Sequence, residues 1–473
     1  MNEGGEPQET SADARGVRAT QEANKTTGWS QERLVSLLAS LSGLPLLVWW
    51  LGWFPGFVSF DVIAQLEEAA SNTYFNQHPA IHTLLLDLSW SLLGSPGYLG
   101  LVQVVALAAL LVVIARRLLR IGVSPWLAVG AVWFVAALPA VGATTVALWK
   151  DIPFALGLLW IFAELLILAH EGKATWERAW TPVRMGLALA VVWLFRHNGF
   201  LTVVPMLVIL GFVVRRRLVP AVATLAACLL IVSGLIYRIL DVNTEAIEPA
   251  GVFIADVAAV VRHRPEVFDE SDFAVIQSIA PLEVWRSAYR CSDSTPLLTN
   301  PQFDETIVTR DPAAFRSVIW KAVTRAPAVV AGHRICVGSF LFVPGTREGG
   351  FLHRPPYEVH PNTLGIVRDP LSGRAHRLTE AIYVWAEADS RIWFTWSPAL
   401  PIVAALVAYG LVAFRRDMRR WALPGLVLLI HSLNVVATSP AHEVRYAFPL
   451  YLVALLSLPL LAAVFSGQLD GRD

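Results

Sequence analysis

Charge is scarce in this chain. Asp, Glu, Lys and Arg make up 16% of its 473 residues, where a soluble domain carries roughly 25%. Lysine occurs only at Lys25, Lys150, Lys173 and Lys321, so arginine supplies nearly all of the positive charge. Three cysteines are too few for a disulfide framework or a cysteine zinc site. A Gly-rich phosphate cradle of the P-loop kind is also missing, which argues against ATP-driven chemistry. The formal net charge is zero, so charge balance points to no partner, and no nucleic acid is expected.

Apolar sequence is what the chain has in excess: 55% of residues are hydrophobic and the mean hydropathy is +0.54. The excess lies in separate runs, each near the ~20 residues a helix needs to cross a bilayer. These runs predict an all-α polytopic membrane protein and exclude a soluble enzyme. Ten spans are expected, at 34–54, 98–115, 123–142, 152–169, 185–199, 200–214, 218–237, 394–414, 422–439 and 446–466. The fifth and sixth are short and meet at His197-Asn198-Gly199, where Asn-Gly favours a tight turn; they form either a hairpin or one bent element.

The distribution of arginine sets the expected orientation. One set of connections holds Arg116, Arg117 and Arg120; Lys173, Arg178 and Arg184; Arg215-Arg216-Arg217; and Arg415, Arg416, Arg419 and Arg420. The short loops on the other side hold only Lys150, Arg196 and Arg445, and no basic residue lies between Leu34 and Ala115. Both termini are therefore expected in the cytoplasm of a cell membrane. The outer loop 55–97 and the region 238–393 then face outward. Residues 1–33 read as a disordered tail, poor in anything to bury, and 467–473 as a second short tail. The abundance of Arg and Trp over Lys suggests a bacterial source.

The region 34–237 forms an N-terminal membrane module, 238–393 an α-rich outer module, and 394–466 the C-terminal spans. Apolar spacing predicts helices over 272–279 and 313–323. Cys291 and Cys336 fall in the outer module and can pair if it faces an oxidising compartment. Cys228 reads as a packing residue.

Four polar clusters lie on the outer side. Asp61 follows the first span in Phe-Val-Ser-Phe-Asp, where it either caps the next helix or acts on a group at the lipid surface. Two amphipathic stretches follow, separated by His78-Pro79, and both suit helices lying along the membrane. Lys150-Asp151-Ile152-Pro153 opens the fourth span: an interfacial anchor, or a cation for an anionic group with a carboxylate beside it. Arg196 sits between two apolar runs, where arginine is costly and tends to be functional or paired. Its fork of donors suits a phosphate, and the competing reading pairs it with Asp61 or Asp151. Arg445-Tyr446 opens the last span, as headgroup anchor or as part of the same site. His431 and Asn434 inside the ninth span suit an interhelical hydrogen bond better than ligation. No one cluster is specific; their gathering on one side of the membrane is the informative feature.

In this order the motifs resemble the GT-C class of polyprenol-dependent glycosyltransferases, in particular the protein O-mannosyltransferase and aminoarabinose transferase group. The resemblance rests on Asp61 after the first span, His78-Pro79 between two surface helices, Asp151-Ile152-Pro153, Arg196 to Gly199 and Arg445-Tyr446, and covers roughly residues 34–240. It implies transfer of a sugar, with inversion, from a polyprenyl-phosphate carrier to a cell-envelope acceptor on the outer face. Asp61 would be the base and Asp151 the second acidic position. Lys150, Arg196 and Arg445 would hold the carrier phosphate, with His78 and Tyr446 lining the substrate. No cofactor is expected; a divalent metal is allowed but not indicated, because Val62 stands where some members have Glu. Two other readings are an envelope polysaccharide polymerase or ligase, which would not need Asp61, and a transporter or flippase, for which matched halves and midplane polar residues would be expected.

Overall fold

A computed structural model describes residues 31–244, 250–304, 306, 312–344 and 352–469. Among these residues the chain is helical with four isolated β-bridges and no sheet. Most of the expected tails, 1–30 and 470–473, lies outside the described residues, whereas Gln31 to Arg33 already belong to the first helix.

Seven helices are long and apolar enough to cross a membrane, or eight if one bent pair counts as a span. All ten apolar segments are helical, and the difference from ten has three causes. The 123–142 segment breaks between Pro125–Ala137 and Pro139–Thr145 with a 65° bend, because Pro139 lacks a donor and pushes Leu138 out of the helical region. The 185–199 segment is Trp180–Phe195, 16 residues, or about 24 Å, short of the ~30 Å hydrocarbon core. The sixth and seventh segments merge into one helical run, His197–Ile239, of 43 residues. That is about 65 Å if straight, twice the bilayer, and it is interrupted at Arg215, whose φ is +55°.

Two helices form the centre. Asp151–Glu171 and Val444–Phe465 are apolar on every side and buried along most of their length, the pattern of a helix enclosed by others. Tyr409 on Ala399–Phe414 donates to Ser457 of the last helix at 2.8 Å. Asn434 donates to Thr202 at 2.9 Å, and His431 Nδ1 lies 3.4 Å from the same hydroxyl, so both residues make the interhelical contacts their position suggested.

The region 238–393 divides by packing. Helices Ala250–His263, Glu270–Ile279, Pro312–Arg325 and Pro327–Gly338 enclose their own apolar core around Val257, Ile276, Trp285 and Phe315. The helices expected over 272–279 and 313–323 are among these. Asp269 and Asp272 form a capping box at the start of the second. Residues 352–396 join the main core instead, through Leu352, Ile366, Tyr383 and Trp396. There Gly373–Ala386 lies against the first span so closely that a Cβ on Gly52 would stand 2.9 Å from the Ala375 backbone. Trp53 Nε1 donates to Thr379 across this contact at 2.9 Å. Cys291 and Cys336 form a disulfide.

Candidate functional site

Backbone pairing brings the first two outer loops together. Phe57 N–H donates to Val146 O at 3.3 Å and Leu148 N–H to Phe57 O at 3.1 Å, a short parallel bridge. Gly56 makes it feasible: its φ is +124° and a Cβ there would sit 2.5 Å from Val146 O, a geometry only glycine takes without strain. Gln103 pins the second loop from below, donating to Thr145 O and Ala147 O at 2.8 and 2.9 Å. Trp149 Nε1 donates to Ser59 Oγ at 3.0 Å. The residues just beyond the bridge on each strand, Asp61 and Lys150, are thereby held near one another.

Asp61 lies in the first turn of Phe60–Ser71, where a carboxylate is favoured by the helix dipole, but it does not cap that helix. Ser59 is the N-cap residue, and Asp61 Oδ2 accepts from Arg445 Nη1 at 2.6 Å. Its side chain stays 30% exposed, so the carboxylate can be reached from outside. Burial pushes the Asp61 carboxyl up, but the charges of Arg445 and Lys150 outweigh it and hold it well below the usual carboxylate range.

Lys150 Nζ lies 2.5 Å from His78 Nδ1. Burial drives the Lys150 ammonium down to about 7, against the pull of Asp61 and with the repulsion of Arg445 and Arg196. Burial and the neighbouring Lys150 charge push His78 down to about 3. His78 is therefore a neutral acceptor and Lys150 the donor between them. Residues 75–78 are themselves held by Asn76 N–H to Asn243 O at 2.8 Å and by His197 Nε2 against Gln77 O at 3.2 Å.

Asp151 is buried, 1% exposed, and ion-paired with Arg196. The pairing alternative weighed for Arg196 is thus the arrangement present. Arg196 Nε also donates to Asn198 Oδ1 at 3.0 Å, and its guanidinium lies 4.8 Å from the centre of the Tyr446 ring. Asn198 in turn donates to Thr438 at 2.6 Å. Arg445 has a second carboxylate partner, Glu443, and packs over Trp149 at 5.6 Å and Tyr446 at 5.1 Å.

The loop before Arg445 is clamped on both sides. His442 N–H donates to Ser292 O at 2.9 Å, Ser294 N–H to Pro440 O at 3.1 Å, His353 N–H to His442 O at 2.8 Å, and Val444 N–H to His353 O at 2.9 Å. His442 Nε2 lies 3.1 Å from the carbonyl of Cys336. The disulfide-bonded unit is thus fastened to the end of the last span that carries Arg445.

Of the seven residues singled out in the sequence, Asp61, Arg445, Tyr446, Arg196 and Asp151 form one run of ion pairs and ring contacts, while Lys150 and His78 form a hydrogen-bonded pair of their own, near enough for the Lys150 charge to act on Asp61. Three members went unassigned. Glu443 stands two residues from Arg445, and Trp149 precedes Lys150, so both were in view but without a role. Asn198 read only as turn chemistry. Among the described residues no group of three or more His, Cys, Asp or Glu side chains is disposed to hold a metal ion. A cavity of about 690 Å³ on the 250–338 unit, lined by Arg262, Tyr289, Arg290 and His333 among others, includes none of these residues.

The model of a family of unknown function, DUF6020, matches residues 69–332, more than half of the chain. The matched stretch includes His78, Lys150, Asp151 and Arg196, while Asp61, Arg445 and Tyr446 fall outside it. No curated protein and no solved structure matches the chain.

Proposed function

We propose that this chain, which belongs to the DUF6020 family, is a membrane transferase that moves a sugar from a polyprenyl-phosphate carrier to an acceptor hydroxyl of the cell envelope. The observation that carries the reading is the convergence of a reachable carboxylate, Asp61, and an ammonium, Lys150, at one end of the membrane helices. The order of motifs that resembles the GT-C class supports it as well.

In this reading the acceptor oxygen attacks the anomeric carbon from the face opposite the carrier, so the configuration inverts. The bond from that carbon to the phosphate oxygen breaks, and the polyprenyl phosphate leaves with the electron pair. The hydroxyl proton passes to Asp61, a general base in position. Lys150 is the cation with donors to spare, since its hydrogen bond among the described residues goes to neutral His78, and it meets the charge that grows on the leaving phosphate. Arg445 and Arg196 are each committed to a carboxylate. They hold Asp61 and Asp151 in place, with Tyr446 stacked between the two guanidinium groups.

The site faces outward from a bacterial cell membrane in this reading, with both termini inside. Two observations support that side. The arginine-rich connections stand at the other end of the spans, and the disulfide, which persists in oxidising compartments, is tied to the same loop as Arg445. The 250–338 unit then lies outside as a cover or acceptor platform.

One observation favours a second division of labour. Asp61 is held ionised by Arg445, whereas Lys150 changes charge near neutrality, which is where a proton acceptor works best. Transfer that rises as pH climbs through 7 would make Lys150 the base; donor binding that weakens over the same range makes it the phosphate ligand. For the transferase itself, Asp61→Asn membranes are assayed for transfer from a polyprenyl-phosphate sugar. Unchanged turnover at normal expression would remove the assigned base, and a purified protein that carries lipid-linked sugar across a bilayer without altering it would point to a transporter.

A further inference from the structure

At the end of the spans away from this site, a second group of charges is buried between the helices. Glu164 is thirteen residues along the central helix from Asp151, about 20 Å, and its side chain is 1% exposed. Arg117 Nη2 donates to Glu164 Oε1 at 2.8 Å, and Arg184 Nε to the same oxygen at 3.1 Å. Trp160 Nε1 adds a third donor at 3.2 Å. Two guanidinium groups therefore share one carboxylate.

The neighbouring carboxylates do not supply the balance. Glu171 pairs with Arg178 at 3.2 Å, and Glu32 is itself shared by Arg116 and Arg120 at 2.9 and 2.7 Å, so Arg117 and Arg184 are left with Glu164 between them. Arg117 is 11% exposed, and its Nη1 is buried with no hydrogen-bond partner among the described residues. Thr175, 1% exposed, likewise has an unpartnered hydroxyl. An unmatched charge at this depth is expensive, and donors left unsatisfied there add to the cost.

Arg117 and Thr175 both line one cavity of about 290 Å³, whose walls also include Arg120, Arg178, Arg184 and the carboxylate residue Glu171. Arg117 and Arg184 also line a second cavity of about 650 Å³, whose other walls are mostly apolar, Leu110, Val113, Leu156 and Val191 among them. That groove follows the central helix from Glu164 back to Pro153, roughly 16 Å, or about half the ~30 Å apolar layer. A polar pocket with surplus positive charge thus opens into a greasy slot the length of a lipid chain.

We infer that this is a binding site for an anionic phospholipid of the leaflet opposite the transfer site. The phosphodiester sits in the cavity against Arg117, Arg184 and Thr175, and one acyl chain lies in the apolar groove. A phosphodiester carries the single negative charge that the arginine pair lacks, and basic pockets between membrane helices are the usual seats of such headgroups. The inference does not depend on the reaction assigned to the other end of the molecule.

The test uses the full chain, purified in a neutral detergent. Thermal stability is read after adding phosphatidylglycerol, phosphatidylcholine or inorganic phosphate, and retained lipid is identified by native mass spectrometry. The wild type is expected to retain phosphatidylglycerol and to be stabilised by it at concentrations at least tenfold below those needed for phosphatidylcholine. Arg184→Gln should abolish that preference, and Arg178→Gln, whose side chain is 70% exposed, should weaken it about threefold without harming the fold. If Arg117→Gln does not express, these two variants still decide. Equal response to the two lipids would leave an apolar groove with no headgroup site. Equal response to inorganic phosphate alone would make the ligand a free anion. A preference that survives Arg184→Gln would place the lipid elsewhere. Each of these overturns the inference.

Discussion

Arg445 and Asp61 are 384 positions apart and are joined by a 2.6 Å hydrogen-bonded ion pair. The contact closes the last span onto the first outer loop, and Glu443 grips the same guanidinium from its other edge. An arginine with two carboxylate partners is fixed in orientation, and so is the Asp61 oxygen it holds. The Arg445 hydrogen bond engages one Asp61 oxygen; in the proposed reaction the other takes the substrate proton.

That geometry makes Asp61→Asn the sharpest substitution. The amide keeps the shape and still accepts from Arg445, but it cannot take a proton, so transfer should fall by about 10²–10⁴ with little change in melting temperature. Because Asp61 is held below its ordinary value of 3.8, it stays ionised at all higher pH, and a pH–rate profile should show no acidic limb from this residue above about 4. A limb nearer 6 in the wild type that vanishes in Asp61→Asn would show that Asp61 is not held low by Arg445, and one that persists in the variant would belong to another group.

Lys150 predicts a pH dependence of the opposite sense. Burial sets its ammonium at about 7: below that it is charged, and above it neutral. A phosphate binds the charged form, so affinity for polyprenyl phosphate should be level below pH 6 and fall up to tenfold per unit above 7. Lys150→Met should bind weakly at every pH and lose the dependence. Titration of binding by fluorescence quenching across pH 6–9 separates these outcomes; an affinity independent of pH in the wild type would show that Lys150 does not touch the phosphate.

Much of this was legible in the sequence. Composition and run length give the helical membrane class, and the scarcity of cations makes Lys150, Arg196 and Arg445 conspicuous. Which cation meets which carboxylate was not legible, because it depends on a bridge between Phe57 and Ala147 that leaves no periodic pattern. The pairing of Arg196 with Asp151 rather than Asp61 follows from the C-terminus of Trp180–Phe195 meeting the N-terminus of the central helix. The seven or eight candidate spans differ from the ten apolar runs where a helix bends or is interrupted: hydropathy averages across the bend at Pro139, and the two runs on either side of Arg215 belong to one continuous helical stretch. The split of 238–393 into a self-contained unit and a strap on the membrane core was hidden for a similar reason: Tyr383 and Trp396 read as ordinary apolar residues whichever core they enter.

The bridge itself can be tested at Gly56. Alanine there meets both a positive φ and a carbonyl 2.5 Å from its Cβ, so Gly56→Ala should destabilise the fold by more than the roughly 1 kcal/mol that strain at such a φ costs alone. Gly94→Ala is the matched control: its φ is also positive, +74°, but its Cβ meets open space within 4 Å. The first variant should therefore lower the melting temperature more than the second. It should also lose transfer in the surviving folded protein, as Asp61 and Lys150 move apart. Equal melting shifts would mean that the close approach to Val146 is not retained in the membrane.

The disulfide should matter to the site as well as to the outer unit. Cys291 and Cys336 are 45 residues apart, and removing such a crosslink costs about 2–4 kcal/mol. Their neighbours hold the loop before Arg445: Ser292 O accepts from His442 N–H, and the Cys336 carbonyl faces His442 Nε2. Replacing both cysteines by serine should lower the melting temperature and, in the protein that remains folded, reduce transfer several-fold, because the His442 anchor loosens and Arg445 no longer fixes Asp61. His442→Ala in the disulfide-intact protein should reproduce the loss of transfer with a smaller loss of stability. If the serine pair melts early but transfers at the wild-type rate, the crosslink stabilises the outer unit alone and Arg445 is held by Glu443 and Asp61 without it.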